Sequence, residues 1–395
     1  MKYAIIIPDG AADEPLEVLD GLTPLESAHT PNMDRVAREG VLGTVRTVPD
    51  GFESGSDVAT MSLLGYDPAI YHTGRAPLEA AAMNIPLSKT DWVFRCNLVT
   101  VIDGIMKDHS AGGISDADAR LMLLDLSRTV QVPGLQFYPG VSYRNLMVCR
   151  GQEIFDVKTK PPHEMLDEAV EKYLPIGPGS DLLKSIIRQS QRMFDVHEIN
   201  DARQLHGHNP VTQVWLWGQG HAPAMPSFVN RFGIASGAMI TSVDLLRGLA
   251  TLLGWENPSV PGMTSFHDTN YVGQGEATAN ALDQFDIVVS HIESPDEASH
   301  QADWKTKRAA IEAIDLHVVG PVLEKLQTYP EWRLLVLPDH PTNIATKKHG
   351  YAPTLFAACG TKIVSNGKSA YTESQARTGH VISQGHELMP YFLGV

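Results

Sequence analysis

Cysteine is scarce in this chain. Cys96, Cys149 and Cys359 are the only three in 395 residues. They are widely spaced, odd in number and form no CxxC pair, which argues against a disulfide framework and fits a reducing, cytoplasmic setting. Long apolar runs are also missing: no stretch reaches the ~20 residues that span a bilayer. The opening run, Tyr3 to Pro8, is too short for the apolar part of a signal peptide and reads as a first β-strand. Positive charge is in deficit, with a formal net charge of −15. Such a chain is a poor general binder of nucleic acid or anionic membrane. An anionic ligand would have to be held locally, by a few arginines or by metal ions. No low-complexity tract and no internal repeat is present. A composition of 43% hydrophobic and 19% charged residues is that of a folded globular protein.

What is present is an alternation of short apolar runs with longer helical patterns, which points to an α/β fold with a mostly parallel sheet flanked by helices. The runs include Tyr3 to Pro8, Val214 to Trp217, Asp286 to Ser290 and Arg333 to Leu337. Near-continuous β-branched and leucine runs suit strands buried on both faces. Helices are expected at about Pro31 to Gly40 and Thr241 to Leu253. The middle of the chain differs. It is strand-rich at Trp92 to Ile102 and Tyr143 to Val148, then loop-like through Lys158 to His163. The breaker cluster Pro175 to Ser180 follows, then a helix from Asp181 to Phe194. This middle reads as an inserted α+β domain, residues 88–208, interrupting a core domain of residues 1–87 and 209–395.

Three apolar runs lead into an aspartate: Ile5-Ile6-Ile7-Pro8 into Asp9, Val336-Leu337-Pro338 into Asp339-His340, and Ile287-Val288-Val289, after a short connection, into Pro295-Asp296. In a parallel sheet these ends collect at the carboxyl edge, where α/β enzymes place their sites. Ser294 to Glu297 has the pattern of a capping box. Asp296 and His300 are then four apart on one helical face and can reach one ion. His349 follows His340 in a loop that can return to the same edge. Carboxylate and imidazole groups suit Mn²⁺, Mg²⁺ or Zn²⁺. Six candidate ligands exceed what one ion takes from protein, so two divalent cations are expected. Taken singly, each piece is also compatible with turn chemistry or a helix cap. His291, His267 and His317 lack such context and are left unassigned. Ser56, in Glu53-Ser54-Gly55-Ser56-Asp57, is the candidate nucleophile. It sits at an expected helix start, where unpaired N–H groups favour an anion, and its weak hydroxyl needs activation by a metal. The alternative is that Ser54 or Ser56 is only an N-cap.

At these residues the chain resembles the archaeal-type cofactor-independent phosphoglycerate mutases of the alkaline phosphatase superfamily. The likeness runs nearly end to end. It includes Pro8-Asp9-Gly10, Thr30-Pro31-Asn32-Met33-Asp34, Gly55-Ser56-Asp57-Val58-Ala59, Thr73-Gly74-Arg75-Ala76-Pro77, Phe94-Arg95-Cys96-Asn97, Trp217-Gly218-Gln219-Gly220, Pro295-Asp296-Glu297-Ala298 with His300, and Pro338-Asp339-His340-Pro341-Thr342. The resemblance implies an alkaline-phosphatase-like core with a smaller inserted domain that closes over substrate. It implies that Ser56 is the phosphorylated nucleophile, that Asp9, Ser56, Asp339 and His340 hold one metal ion, and that Asp296, His300 and His349 hold the other. Mn²⁺ is the expected ion, with Mg²⁺ or Zn²⁺ as alternatives and no 2,3-bisphosphoglycerate. The implied reaction interconverts 3-phosphoglycerate and 2-phosphoglycerate, a small anionic substrate, through phosphoserine. Arg75, Arg95 and Arg144 are candidates for gripping its phosphate or carboxylate, because the guanidinium is bidentate.

The family pattern is broken at Pro261 to Phe266, where a glycine-rich segment is expected. Gln274 stands near a usual lysine, and Ser299 replaces a usual glycine. The sequence also resembles a bacterial branch proposed to act as a homoserine kinase. A metal-dependent phosphomonoesterase is a further alternative. A non-enzymatic binding protein fits poorly with an intact ligand set. The oligomeric state is not legible.

Overall fold

The computed structural model describes residues 1–151 and 155–395, which form two compact units, one of residues 1–72 and 225–395, the other of residues 73–224. The first unit is built on a seven-stranded sheet in the order His380–Ile382, Val41–Val45, Thr354–Gly360, Trp332–Val336, Lys2–Pro8, Ile287–Ile292, Gly237–Ile240. Only Thr354–Gly360 runs against its neighbours, so the sheet is mostly parallel, and helices flank it.

The central strand explains why. Ile5, Ile6 and Ile7 are all fully buried, so neither face meets water, as a parallel strand requires. Burying each such side chain stabilises by about 1.5–3 kcal/mol before entropy is counted. Ala4 and Ile6 point to one face, where they join Val288, Leu334 and Val336 beneath Met33 and Val36 of helix Pro31–Glu39 and Ile311 and Ile314 of helix Trp304–Ile314. Proline at the first position starts the former helix. Asp315 then closes its open end by accepting from Met33 N at 2.7 Å and Asn32 N at 3.2 Å.

In the second unit every strand pairing is antiparallel. Trp92–Ile102 is its long central strand, with Arg144–Cys149 on one side and Gln213–His221 on the other. Helices Asp116–Thr129 and Ser180–Phe194 cover one face, burying Met122, Leu126, Leu183 and Ile186 against Phe94 and Leu98. The unit is α+β. It is wider than the 88–208 read from the sequence. Helix Arg75–Ala82 packs Ala76 and Ala80 on Val93 and Val148, and Gln213–His221 pairs with Trp92–Ile102. The continuously apolar run Val214 to Trp217, expected in the core domain, belongs to this unit. It is apolar because both faces are covered within this unit: Val214 and Leu216 face the helices, while Trp215 and Trp217 pack with Val99 and Met165. Among the described residues, no helix is long and apolar enough to cross a membrane.

Candidate metal and nucleophile site

The parallel register sets the site. Pro8 pairs with Ile292 and Ile6 with Val336, so the three strands end level and release Asp9, the Glu293–Asp296 turn and Asp339-His340 at one edge. The turn after the first strand needs Gly10 at φ +60°. A β-carbon there would lie 2.6 Å from Thr342 Oγ1 and 2.7 Å from Asp296 Oδ1, so only glycine admits these neighbours. A buried lysine holds two of the loops together. Lys307 Nζ donates to Asp13 Oδ2 at 2.8 Å and to the carbonyl of Thr342 at 2.7 Å.

Ser56 opens helix Ser56–Leu63, but neither nearby serine caps it. The cap residue is Gly55 in extended backbone, with no side-chain cap bond. Ser54 Oγ donates to the carbonyl of Gly350 at 2.8 Å. Ser56 Oγ donates instead to Asp9 Oδ2 at 2.9 Å and lies 3.4 Å from His340 Nε2. The capping box read at Ser294 to Glu297 does not form. Glu293 is already in helical backbone, so the helix begins one residue early at Ser294 and has no side-chain cap, while Ser294 Oγ accepts from the Tyr271 hydroxyl at 2.8 Å.

Two ligand groups meet around this serine. Asp9, Asp339 and His340 are fully buried and converge within 4.8 Å. His340 Nε2 is 3.5 Å from both Asp9 Oδ1 and Asp339 Oδ2. Neither of those oxygens has a hydrogen-bond partner, an arrangement that costs several kcal/mol unless a cation or proton fills it. Burial pushes Asp339 up to about 7, with the Asp9 charge adding to the rise. Burial also lowers His340, keeping its imidazole neutral.

Asp296, His300 and His349 form the second group. His300 Nε2 is 3.0 Å from Asp296 Oδ2, His349 Nε2 is 3.4 Å from Asp296 Oδ1, and the two Nε2 atoms are 3.1 Å apart. Each Nδ1 faces a carbonyl, that of Lys347 at 2.9 Å for His300 and that of Ser54 at 2.8 Å for His349. A carbonyl can only accept, so both Nδ1 atoms carry hydrogen and both Nε2 atoms present lone pairs to each other when neutral. Two lone pairs and a carboxylate at this separation need a positive charge between them. Burial opposes a proton on His349, but Asp296 outweighs burial and lifts the group to about 9. The donor sets fit divalent cations, with oxygen and imidazole nitrogen in both.

Every candidate metal ligand and Ser56 is therefore brought to one place in the first unit. The arginines lie in the second unit. Arg95 is held by Glu79 through two hydrogen bonds, at 3.0 and 2.6 Å, and stacks 4.3 Å above the Trp217 ring. Arg144 is exposed beside Tyr143, and Arg75 begins a helix.

A family model described as 2,3-bisphosphoglycerate-independent phosphoglycerate mutase matches residues 37–200. A mutase of that name from Methanothrix thermoacetophila is 44% identical over 394 residues, covering 98% of each chain. Another, from Methanothermobacter thermautotrophicus, is 43% identical over 391 residues, covering 98% of this chain and 96% of its own. The chain belongs to the 2,3-bisphosphoglycerate-independent phosphoglycerate mutase family. Among solved structures, a Pyrococcus horikoshii protein superposes with TM-score 0.83 at 26% identity, covering 100% of this chain and 96% of its own. The cofactor-independent phosphoglycerate mutase of Thermoplasma acidophilum, at TM-score 0.70 and 24% identity over 100% and 99% of the chains, shares the fold.

Against that family background, three residues around the site escaped sequence reasoning. Lys307 reads as one charge in a helix. Thr342, whose Oγ1 donates to Asp296 Oδ1 at 2.5 Å, reads as loop. His291 was left unassigned, yet it is buried with Nε2 3.1 Å from Asp9 Oδ2. The missed signal was position: a histidine one residue before the end of a fully buried strand has no solvent to satisfy it.

Proposed function

We propose that this chain interconverts 3-phosphoglycerate and 2-phosphoglycerate without 2,3-bisphosphoglycerate, through a phosphoserine on Ser56 at a site for two divalent cations. Its relatives' names support the reaction. The observation that carries the mechanism is the Ser56 hydroxyl hydrogen-bonded to Asp9 beside two ligand groups, one with two buried carboxylate oxygens that lack partners and one with two imidazole nitrogens facing each other at 3.1 Å. Asp9, Ser56, Asp339 and His340 would hold one cation, and Asp296, His300 and His349 the other. Bound there, cations supply the charge that offsets the phosphoryl oxygens and acidifies the serine hydroxyl. Mn²⁺ is the proposed ion, with Mg²⁺ or Zn²⁺ as alternatives, since mixed carboxylate and imidazole donors are compatible with all three.

Asp9 aligns the Ser56 oxygen. That oxygen attacks phosphorus, the bond from phosphorus to the glycerate oxygen breaks, and the serine proton ends on the glycerate hydroxyl. The other glycerate hydroxyl then attacks the phosphoserine, and Ser56 recovers its proton. Arg75, Arg95 and Arg144 are proposed to grip the carboxylate or phosphate. For Arg95 the Glu79 pair limits the free donors, so Arg144→Ala should raise KM more than Arg95→Ala.

The test is turnover of 3-phosphoglycerate with Mn²⁺ and without 2,3-bisphosphoglycerate, beside homoserine plus ATP and beside release of free phosphate. We expect mutase turnover, reduced roughly 10⁴-fold or more in Ser56→Ala while that variant still folds. Unchanged turnover in Ser56→Ala would remove the covalent route. Turnover of homoserine alone, or free phosphate as the main product, would replace the substrate or the reaction.

A further inference from the structure

Thr342 is wholly buried, and its main chain is fixed on every side. Its amide donates to the carbonyl of Ala12 at 3.1 Å, and its carbonyl accepts from Lys307 Nζ at 2.7 Å. It is also the cross-strand partner of His349, where Thr342–Asn343 pairs with Lys348–His349. These contacts set where the residue sits without calling on its side chain. The hydroxyl is left to lie between the two ligand groups.

The direction of its one hydrogen follows from its neighbours. Oγ1 stands 2.5 Å from Asp296 Oδ1 and 3.2 Å from His340 Nδ1. A carboxylate oxygen accepts, so the hydrogen goes to Asp296. Oγ1 then has only lone pairs to offer His340, and the neutral ring carries its hydrogen on Nδ1. The carbonyl of Pro341 is a further acceptor beside that ring. Nε2 keeps its lone pair and faces Ser56 Oγ at 3.4 Å, with Asp9 Oδ1 and Asp339 Oδ2 each at 3.5 Å. This is the tautomer a metal-binding imidazole adopts when its far nitrogen is anchored. On the other side, the same hydroxyl holds the Asp296 carboxylate. Oδ1 lies 3.4 Å from His349 Nε2 while Oδ2 lies 3.0 Å from His300 Nε2.

We propose that Thr342 is a positioning residue for both cation sites at once: its hydroxyl presents Asp296 to one ion and the Nε2 lone pair of His340 to the other. The inference deepens the two-cation reading and rests on it. One chain of hydrogen bonds, from His340 through Thr342 to Asp296, joins the two ligand groups. A role in packing alone makes the opposite prediction. Valine keeps the branched shape and every main-chain bond of Thr342 but lacks the hydroxyl. Serine keeps the hydroxyl and loses only a methyl group.

The full chain and its variants are stripped with chelator and titrated with Mn²⁺ by calorimetry. Bound ions are counted by mass spectrometry, and circular dichroism checks folding. Two ions per chain are expected in the unmodified protein. Thr342→Val should bind both about 10- to 100-fold more weakly, and Thr342→Ser should hold both nearly as tightly as the unmodified chain. If Thr342→Val binds both ions as tightly as the unmodified chain, or loses affinity for only one, the proposal is overturned and the two-cation reading stands. Weak binding of both ions by a folded Thr342→Ser would overturn it equally, and that arm holds even if the valine variant does not fold. Fewer than two ions in the unmodified protein would overturn the two-cation reading and this inference with it.

Discussion

Asp339 in the first unit and Asp91 in the second are both buried aspartates, and their surroundings set them apart. Asp91 accepts from Ser88 N at 2.9 Å, from Arg150 Nη1 at 2.8 Å and from Gly151 N at 3.0 Å. Burial works against its charge, but these donors outweigh burial and hold it at about 2. Asp339 accepts from Gly10 N at 3.3 Å and His340 N at 2.9 Å through Oδ1, while Oδ2 has no partner. Burial and the neighbouring Asp9 charge push it up to about 7. Asp91 is matched by donors of its own unit, as are Asp13 and Asp315 in the first. Asp339 Oδ2 and Asp9 Oδ1 have none, and buried carboxylate oxygens without donors are what a cation site requires.

The largest effects should come from breaking the unsatisfied side of this comparison. Asp339→Asn should cut mutase turnover by more than about 100-fold, beyond the loss typical of residues that only support a metal ligand. In chelator-treated protein the same change should leave the melting temperature at or above that of the unmodified chain, because it removes an uncompensated charge. A marked fall in that melting temperature would mean that Asp339 is structural. Lys307→Met should destabilise by about 3–5 kcal/mol, as it strands Asp13 and the carbonyls of Ala12 and Thr342 in a dry interior, and denaturant titration reads this directly. Asp91→Asn should cost about 1.5–3 kcal/mol at pH 7, the range for hydrogen bonds to a charged group.

The pH dependence sharpens the contrast further, because the two signs are opposite. Asp91 has a folded pKa below its unfolded value. Its contribution is present above about pH 4 and is lost as pH falls toward about 2. The Asp91→Asn penalty should therefore shrink across that window. Asp339 has a folded pKa above its unfolded value. The folded chain keeps its proton while the unfolded chain releases it, so metal-free stability should fall as pH rises from about 4 through about 7. Thermal melts of Asp339→Asn beside the unmodified protein, both with chelator, should show that this slope is reduced in the variant.

Much of this was legible in the sequence. Strand ends followed by aspartates are local patterns, and the parallel register that levels Pro8, Ile292 and Val336 is what buried β-branched runs favour. Asp9, Asp296, His300, Asp339, His340 and His349 could therefore be gathered before any coordinates. Three kinds of information were not local. Val214 to Trp217 is buried on both faces in either unit, so its apolarity cannot say which sheet it joins. The one-residue shift of the helix start to Ser294 depends on the backbone of Glu293, which composition does not fix. His291 and Lys307 gain their roles only from partners far along the chain, Asp9 for one and Asp13 for the other.

The central claim is that divalent cations sit among these carboxylates and imidazoles beside Ser56. Crystals of the full chain grown with Mn²⁺ and measured at the manganese absorption edge test it most directly. The account predicts anomalous peaks within bonding distance of Asp9, Asp339 and His340, and of Asp296, His300 and His349. Manganese found only on surface carboxylates, with His300 and His349 sharing a proton and Ser56 bound to Asp9 alone, would contradict it.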